Sequence, residues 1–148
     1  FISFTNNLTL GGAIPNEICS LINLTDLLLS NIQLSGEIPT DIGNLTNLTS
    51  LSLSQNELIG EIPTDIGNLI KLNYLNLGGN QLAGKIPAEI GTLINLTVLG
   101  LMNNHLTEIP ESFCEIKTGL NFYFSHNKIC GELPSCLTAE EIGEQDCD

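Results

Sequence analysis

Residues 45–63 of the chain read LTNLTSLSLSQNELIGEIP, and 24 residues later residues 69–87 read LIKLNYLNLGGNQLAGKIP. The two stretches share every leucine, one asparagine, one glycine and a closing Ile-Pro pair. A repeated unit with this spacing cannot bury its own apolar face, so it must stack on its neighbours. We therefore expect a solenoid with one long parallel sheet.

The same spacing divides the rest of the chain into turns. We expect one domain over residues 1–148, with about six turns of roughly 24 residues. In each turn we expect one short strand around the Leu-x-Leu pair and a 3₁₀ or short helical turn after the Ile-Pro pair. The predicted turns are a partial turn 1–20, full turns 21–44, 45–68, 69–92 and 93–115, a degenerate turn 116–137, and a C-terminal cap over 116–148.

One asparagine recurs where each strand turns inward. Its buried amide can satisfy backbone groups of its own turn and of the neighbouring turn. Asn7 fits this position if one residue is inserted after it, and Ile32 replaces the asparagine in the turn 21–44. We therefore expect the ladder of amides to be broken, or filled by water, at Ile32. The regular members are Asn56, Asn80, Asn104 and Asn127.

The motif Leu-x-Gly-x-Ile-Pro, followed by Ile-Gly-Asn-Leu, resembles the plant-specific class of leucine-rich repeats. Such repeats occur in receptor-like kinase ectodomains and polygalacturonase-inhibiting proteins, and similar ones occur in secreted algal and bacterial proteins. The resemblance covers about residues 8–137. It implies an α/β solenoid, a right-handed superhelix with a parallel β-sheet on the concave face and 3₁₀ or short helical turns on the convex face. The class hosts many ligands, so the resemblance leaves the ligand open.

The N-terminal end departs from the plant pattern. The paired-cysteine cap common in plant members is absent, and residues 1–4 read as a strand with no cap before it. An uncapped end exposes apolar side chains and a strand edge. We therefore expect either further residues upstream or a contact that covers this end, and self-association there is one possibility.

The charge excludes several kinds of partner. The formal net charge is −13, with four cationic side chains, all lysines. Nucleic acids and anionic membrane surfaces are bound through clustered Lys and Arg, so we expect neither as a partner. No apolar run approaches the roughly 18 residues that span a bilayer, so no membrane insertion is expected.

Five cysteines indicate an oxidising compartment. Cys19 and Cys114 replace the repeat glycine four turns apart, about 19 Å at the spacing of parallel strands. A disulfide needs Cα atoms within about 7 Å, so Cys19 is predicted to be a free, buried thiol. The segment 130–136 resembles the cysteine-bearing C-terminal caps of plant repeat proteins. Cys136 lies one turn below Ser112, which favours the pairs Cys114–Cys136 and Cys130–Cys147.

Other arrangements of these four cysteines stay open. The second pairing is Cys130–Cys136 with Cys114–Cys147, and a Cys₄ zinc site is the rival, although no Cys-x-x-Cys spacing supports it. Disulfides imply that the chain is secreted or displayed at the cell surface. In a secreted eukaryotic protein, Asn-Leu-Thr would be a glycosylation acceptor, although it also follows from the repeat consensus. The candidates are Asn7, Asn23, Asn44, Asn47 and Asn95.

The residues that flank the strand leucines point outward from the sheet, by strict alternation. This face is small and nearly uncharged except in its C-terminal half, where large side chains gather. Aromatic and Met residues are enriched at the cores of interfaces. We therefore predict a binding patch for a protein, peptide or glycan ligand at Tyr74, Asn76, Val98, Met102, Asn103, Tyr123 and His126.

Catalysis has little support in the sequence. The two histidines, His105 and His126, have no nucleophile or carboxylate placed beside them by the repeat, and no phosphate-binding glycine loop appears. We expect a non-enzymatic binding module without metal or cofactor. Two alternatives stay open: a structural unit of a surface layer or filament, and ice binding through Thr25, Thr49 and Thr97, which recur in register with Asn73 between them.

Overall fold

The computed structural model describes residues 1–4 and 10–147, which wind into an α/β solenoid. A six-stranded parallel sheet lines one side in the order β1-β3-β5-β7-β9-β11, so each turn adds one strand beside the last. The strands of the described residues are β1 Ile2–Ser3, β2 Gly12–Ala13, β3 Asp26–Leu28, β4 Leu34–Glu37, β5 Ser50–Ser52, β6 Glu57–Ile59, β7 Tyr74–Asn76, β8 Ala83–Lys85, β9 Val98–Gly100, β10 His105–Glu108 and β11 Asn121–Tyr123.

The prediction of one strand per turn was wrong. A second strand follows in successive turns, and these form a three-stranded sheet β2-β4-β6 and a two-stranded sheet β10-β8. The Leu-x-Gly segments of adjacent turns run parallel and close together, so their backbone groups bond across the gap. Ala83 N donates to Gly60 O at 2.8 Å, for example. The Leu-x-Leu spacing did not predict these strands, because their residues show little alternation between apolar and polar side chains.

The Ile-Pro pair starts each predicted 3₁₀ segment. The proline is extended, with φ near its fixed value, and lies directly before the segment, where no N–H is required. Segments of adjacent turns pack side by side on the side away from the main sheet. Their bounds are Asn16–Ser20, Thr40–Asn44, Thr64–Asn68, Ala88–Thr92 and Glu111–Glu115.

The repeat leucines and isoleucines form one continuous core between the sheets and the 3₁₀ segments. Leu51, Leu75 and Leu99 follow one another along the main sheet and are fully buried. At the C-terminal end aromatic rings occupy repeat positions held elsewhere by leucine or isoleucine, and Phe122 pairs with Leu99 on the main sheet. Phe113 packs edge-on against Phe122 with ring centroids 5.2 Å apart. The core therefore runs without a break into the degenerate turn.

The asparagine ladder has the predicted role. Asn80 Nδ2 donates to Leu53 O of the preceding turn and to Leu77 O of its own turn, both at 3.0 Å, while its Oδ1 accepts from Leu58 N at 3.1 Å. Asn104 and Asn127 repeat this pattern. Each amide therefore ties two turns together, and its polar atoms are satisfied in the core.

The exception at Ile32 is filled by its neighbour. Ile32 is buried and brings no amide, but Asn56 Oδ1 accepts from Ile32 N at 3.1 Å and from Leu34 N at 3.0 Å. Asn56 Nδ2 also donates to Leu29 O at 2.7 Å. The backbone groups of Leu29, Ile32 and Leu34 are therefore bonded by an asparagine of the next turn. Among the described residues, Asn56 is the first member of the ladder. Asn7 lies outside the described residues.

The C-terminal cap contains the favoured disulfide pairing. Cys114 is bonded to Cys136 and Cys130 to Cys147, each with Cα atoms 5.7 Å apart. Cys19 is free and buried, as predicted, and burial raises the pKa of its thiol. The short helix α1, Ala139–Ile142, follows Thr138, which forms a reciprocal capping box with Glu141.

The described residues contain no helix that is long and apolar enough to cross a membrane. Within the same residues, no group of three or more His, Cys, Asp or Glu side chains is arranged to hold a metal ion.

Candidate functional site

Register on the main sheet is continuous, so outward side chains of neighbouring strands stand in rows. Ser50 pairs with Tyr74, and Tyr74 pairs with Val98. The next row runs from Asn76 to Gly100 and then Tyr123. Parallel strands are about 4.8 Å apart, so these side chains are direct neighbours. The structure therefore places Tyr74, Asn76, Val98 and Tyr123 on one surface.

The N-terminal half of this surface is a hydroxyl patch. Ser30 Oγ lies 2.8 Å from Ser52 Oγ and accepts from Ser54 Oγ at 3.0 Å. These three hydroxyls bond to one another, and Ser52 is buried. The three serines offer hydroxyl groups and little apolar area to a ligand.

In the C-terminal half two side chains pack directly onto glycines of the sheet, an arrangement that the sequence analysis did not predict. Gly78 and Gly100 are both buried. A Cβ on Gly100 would lie 2.7 Å from Asn76 Oδ1, and one on Gly78 would lie 3.4 Å from Met102 Cγ. The side chains of Asn76 and Met102 therefore occupy the space above the two glycines. The sequence marks this arrangement by glycine at two positions where other turns present outward side chains.

Asn76 is held in a fixed orientation at the centre of this surface. Its Oδ1 accepts from Gly78 N at 3.0 Å, and its Nδ2 donates to the Tyr74 hydroxyl oxygen at 3.2 Å. Asn76 is only half-buried, so a ligand can reach the amide. A pre-oriented donor and acceptor loses little entropy when it binds a peptide group.

Tyr123 and Met102 supply the apolar contact area. Tyr123 is 51% exposed at the edge strand β11, and Met102 follows strand β9. Phe122, on the opposite side of β11, packs against Phe113 and Phe124 in the core. The strand that presents Tyr123 is therefore anchored firmly from beneath.

Asn103 and His126 lie beside this surface, in the turns that follow the strands. Both are exposed and have positive φ, 55° and 56° respectively. His126 N donates to Glu144 O of the tail, and its Nδ1 lies 3.8 Å from Asp146 Oδ1. The structure thus places these two residues at the rim, next to the C-terminal cap. His105, the other histidine, begins strand β10 in the smaller sheet.

The candidate glycosylation sites lie on one flank of the solenoid or close to it. Asn23, Asn44 and Asn95 are exposed and Asn47 is half-buried, whereas Asn7 lies outside the described residues. Asn47 Nδ2 donates to Ile22 O, and Asn95 Nδ2 donates to Ile70 O, both at 2.8 Å. Asn44 is the last residue of its 3₁₀ segment.

A family model described as Leucine Rich Repeat matches residues 23–45, 47–69, 71–93 and 95–116, which is most of the chain. The chain belongs to the leucine-rich-repeat family. The resemblance to the plant-type class is also confirmed, because solved plant ectodomains share the repeats at high structural similarity. A comparison with curated proteins gave no significant match.

Three solved structures show the range of similar proteins. The PEPR1–AtPEP1 complex is 34% identical, with a TM-score of 0.85, over 90% of this chain and 19% of that one. The ectodomain of the Arabidopsis receptor kinase HAESA, solved with an extended IDA peptide hormone, is 38% identical, with a TM-score of 0.84, over 90% and 22%. A plant ice-binding protein is 37% identical, with a TM-score of 0.81, over 86% and 42%. This repeat chain therefore spans less than half the length of each.

Proposed function

We propose that this leucine-rich-repeat chain is an extracellular, non-enzymatic recognition module that binds an extended peptide or protein segment on its concave sheet. The binding surface is the predicted patch. The observation that carries the proposal is the cluster in which Asn76 and Met102 pack over Gly78 and Gly100 beside Tyr74 and Tyr123. On the neighbouring strands β3 and β5 the outward side chains are mainly small or polar, and Leu28 is the exception.

The chemistry of this surface suits a peptide main chain. Asn76 offers an oriented amide that can pair with a backbone C=O and N–H. Tyr provides large apolar contact area at low entropic cost, and Met adapts its shape to the ligand. Two of the similar ectodomains were solved with peptides, AtPEP1 and IDA, which supports this class of ligand.

Two features support an extracellular location. The cap contains two disulfides, and such bonds persist in oxidising compartments. PEPR1 and HAESA each resemble this chain in structure over 90% of its length, and the HAESA structure is an ectodomain. A glycan ligand and occupied sequons stay predictions.

The experiment selects peptides from a displayed random library against the disulfide-bonded protein and measures their affinity for variants. Tyr74→Ala and Tyr123→Ala are expected to weaken binding by about tenfold or more, because truncated aromatic anchors typically cost at least about 1.4 kcal/mol. Ile59→Ala is the control, since Ile59 is 46% exposed but lies on the smaller sheet. Peptides that bind all variants equally would contradict the proposal.

Ice binding is a second candidate, favoured by one specific observation. Thr25, Thr49, Asn73 and Thr97 follow one another in register, because each backbone carbonyl accepts from the N–H of the next member. The similarity to a solved plant ice-binding protein supports this candidate. Thermal hysteresis and inhibition of ice recrystallisation are the measurements, and their absence would exclude this candidate.

Self-association through the N-terminal end stays a prediction. Phe1 is 76% exposed and Leu10 is 54% exposed at that end of the solenoid. Light scattering over a range of protein concentrations tests it, and a constant monomer mass at high concentration would contradict the structural-unit alternative.

A further inference from the structure

The flank between the 3₁₀ segments and the main sheet carries three aligned rows that the concave patch does not use. The isoleucine row is Ile22, Thr46, Ile70 and Ile94. The amide row is Asn23, Asn47, Lys71 and Asn95. The threonine row is Thr25, Thr49, Asn73 and Thr97. Each row has one member per turn, and successive members are about 4.8 Å apart along the solenoid.

The isoleucine row is unusually exposed for its residue type. Ile94 is 76% exposed, Ile22 is 57% exposed and Ile70 is 55% exposed, and Thr46 between them is also exposed. Isolated surface isoleucines need no explanation, but three in one row of four make an apolar ridge that Thr46 alone interrupts.

Hydrogen bonds to the backbone orient half of the residues in the two polar rows. Asn47 and Asn95 donate to carbonyls of the preceding turn at 2.8 Å. Thr49 Oγ1 donates to Thr25 O at 3.1 Å, and Thr97 Oγ1 donates to Asn73 O at 2.8 Å. Thr25 instead donates to the Asp26 carboxylate at 2.7 Å. The oriented residues therefore present methyl groups and polar atoms in register along the flank.

The flank is also nearly free of charge in a strongly acidic protein. The chain has 17 Asp and Glu residues, yet none occupies any of the three rows, and Lys71 is their one cationic member. The Lys71 ammonium donates to Asn47 Oδ1 at 2.7 Å, within the amide row. A protein partner would be expected to meet aromatic or arginine anchors, and the three rows contain none.

We propose that this flank is the surface on which the chain binds ice. The inference rests on the second candidate function and assigns that function to the three rows together, with the isoleucine row as its apolar part. Exposed methyl groups restrict the orientation of neighbouring water. Oriented polar atoms along the flank fix where that water hydrogen-bonds, so the bound layer can join the ice lattice. A surface with Lys71 as its one charged residue suits an uncharged crystal.

This assignment has a consequence for glycosylation. Asn23, Asn47 and Asn95 are sequon asparagines within the amide row, so a sugar on any of them would stand on the proposed ice-binding flank. Protein made without N-glycosylation, in an oxidising bacterial periplasm, is therefore the form to test.

The test freezes a dilute solution slowly onto a cold probe and measures the protein in the ice and in the remaining liquid. Serum albumin serves as the excluded standard. Wild-type protein is expected in the ice, and Ile70→Lys and Ile94→Lys are expected to be excluded like albumin. Ile59→Lys is the matched control because it adds the same charge at an exposed isoleucine of strand β6, and it is expected in the ice. Circular dichroism verifies that each variant is folded, and Ile94→Gln replaces Ile94→Lys if the latter does not fold.

The results distinguish a failure of ice binding from a failure of its assignment to the flank. Exclusion of the wild-type protein would contradict ice binding itself, and the assignment would be lost with it. Incorporation of both flank variants, or exclusion of Ile59→Lys together with them, would leave ice binding in place but overturn its assignment to this flank. The peptide experiment on Tyr74 and Tyr123 is independent of all these results.

Discussion

Single buried amides decide how the turns of this protein are joined. Each ladder asparagine bonds backbone groups of two turns, and among the described residues no buried side-chain N or O lacks a partner. The sequence spacing predicted this role, because only a side chain with both donors and an acceptor can replace the missing backbone partners at an inward turn. It did not predict that Asn56 serves the turn of Ile32, since that depends on how the neighbouring turn is placed.

Replacing Asn80 with Leu tests this role. Asn80→Leu keeps the branched shape of the side chain but leaves Leu58 N without its amide acceptor. Leu53 O and Leu77 O each lose one of two amide donors, because Asn56 Nδ2 and Asn104 Nδ2 also bond to them. A buried group left unbonded costs about 1–3 kcal/mol, so we expect the free energy of unfolding to fall by about 2 kcal/mol. Urea denaturation followed by circular dichroism measures it. Asn68→Leu, at an exposed position, is the control, and equal small losses in both variants would contradict this role.

At the scale of elements, a glycine sets how closely the 3₁₀ segments pack. A Cβ on Gly67 would lie 2.5 Å from Glu89 Cβ and 2.9 Å from Glu89 O of the next segment, and Gly43 and Gly91 are equally crowded. Cysteine replaces this glycine only in the first and last segments. Cys114 there points to Cys136 and forms a disulfide, so the close packing of regular segments ends at the cap.

Gly67→Ala is expected to destabilise the protein by about 2 kcal/mol, the usual cost of forcing a methyl group into a packed site. Gly67 has no positive φ, so the loss reports crowding alone. Gly131→Ala is the matched control, because a Cβ there meets nothing within 4 Å. Thermal unfolding of the two variants measures the difference, and equal melting temperatures would show that the segments are not tightly packed.

The C-terminal cap is expected to loosen in acid before the central turns do. Hydrogen bonds from the side chain and backbone of Ser135 lower the pKa of Glu111 below 4.5, and Lys117, with Thr138, lowers the pKa of Glu141. A carboxylate whose pKa is lowered by folding contributes stability above its unfolded pKa, and this is lost as pH falls through the folded value. The cap should therefore weaken as pH falls below about 4.5.

Hydrogen exchange measures this loosening at the amide of Ser135, which donates to Glu111 Oε2 at 3.0 Å. Its protection, corrected for the intrinsic pH dependence of exchange, is expected to fall in acid while Leu75 in the central sheet stays protected. The double variant Glu111→Gln, Glu141→Gln should lack most of this pH dependence. Simultaneous loss of protection in cap and centre would contradict a local effect.

At the scale of the whole molecule, the repeat allowed the solenoid, the convex 3₁₀ segments and the favoured disulfide pairing to be predicted. These features follow from positions that recur, or from cysteines that stacking brings together. The smaller sheets and the packing of Asn76 and Met102 over Gly78 and Gly100 were not predicted. Both depend on how closely adjacent turns approach, and the sequence marks the second only by glycine at these two positions.

The molecule thus presents two different surfaces on one rigid core. The concave sheet is irregular and carries the aromatic patch, whereas the flank is regular and nearly uncharged. The register of the turns aligns the residues of both surfaces. The concave patch differs from the rest of the main sheet only because its residues depart from the repeat. Our proposal of peptide recognition therefore concerns the concave sheet, and the alternative of ice binding concerns the flank.

The central claim, that a peptide binds at the concave patch, is tested most directly through Met102. The chain contains one methionine, so a ¹³C-methyl label gives a single resonance from this site. Titration with a library-selected peptide is predicted to shift that resonance, and Tyr123→Ala is predicted to weaken the response in parallel with affinity. A peptide that binds the protein while the Met102 methyl resonance stays unchanged would contradict the account.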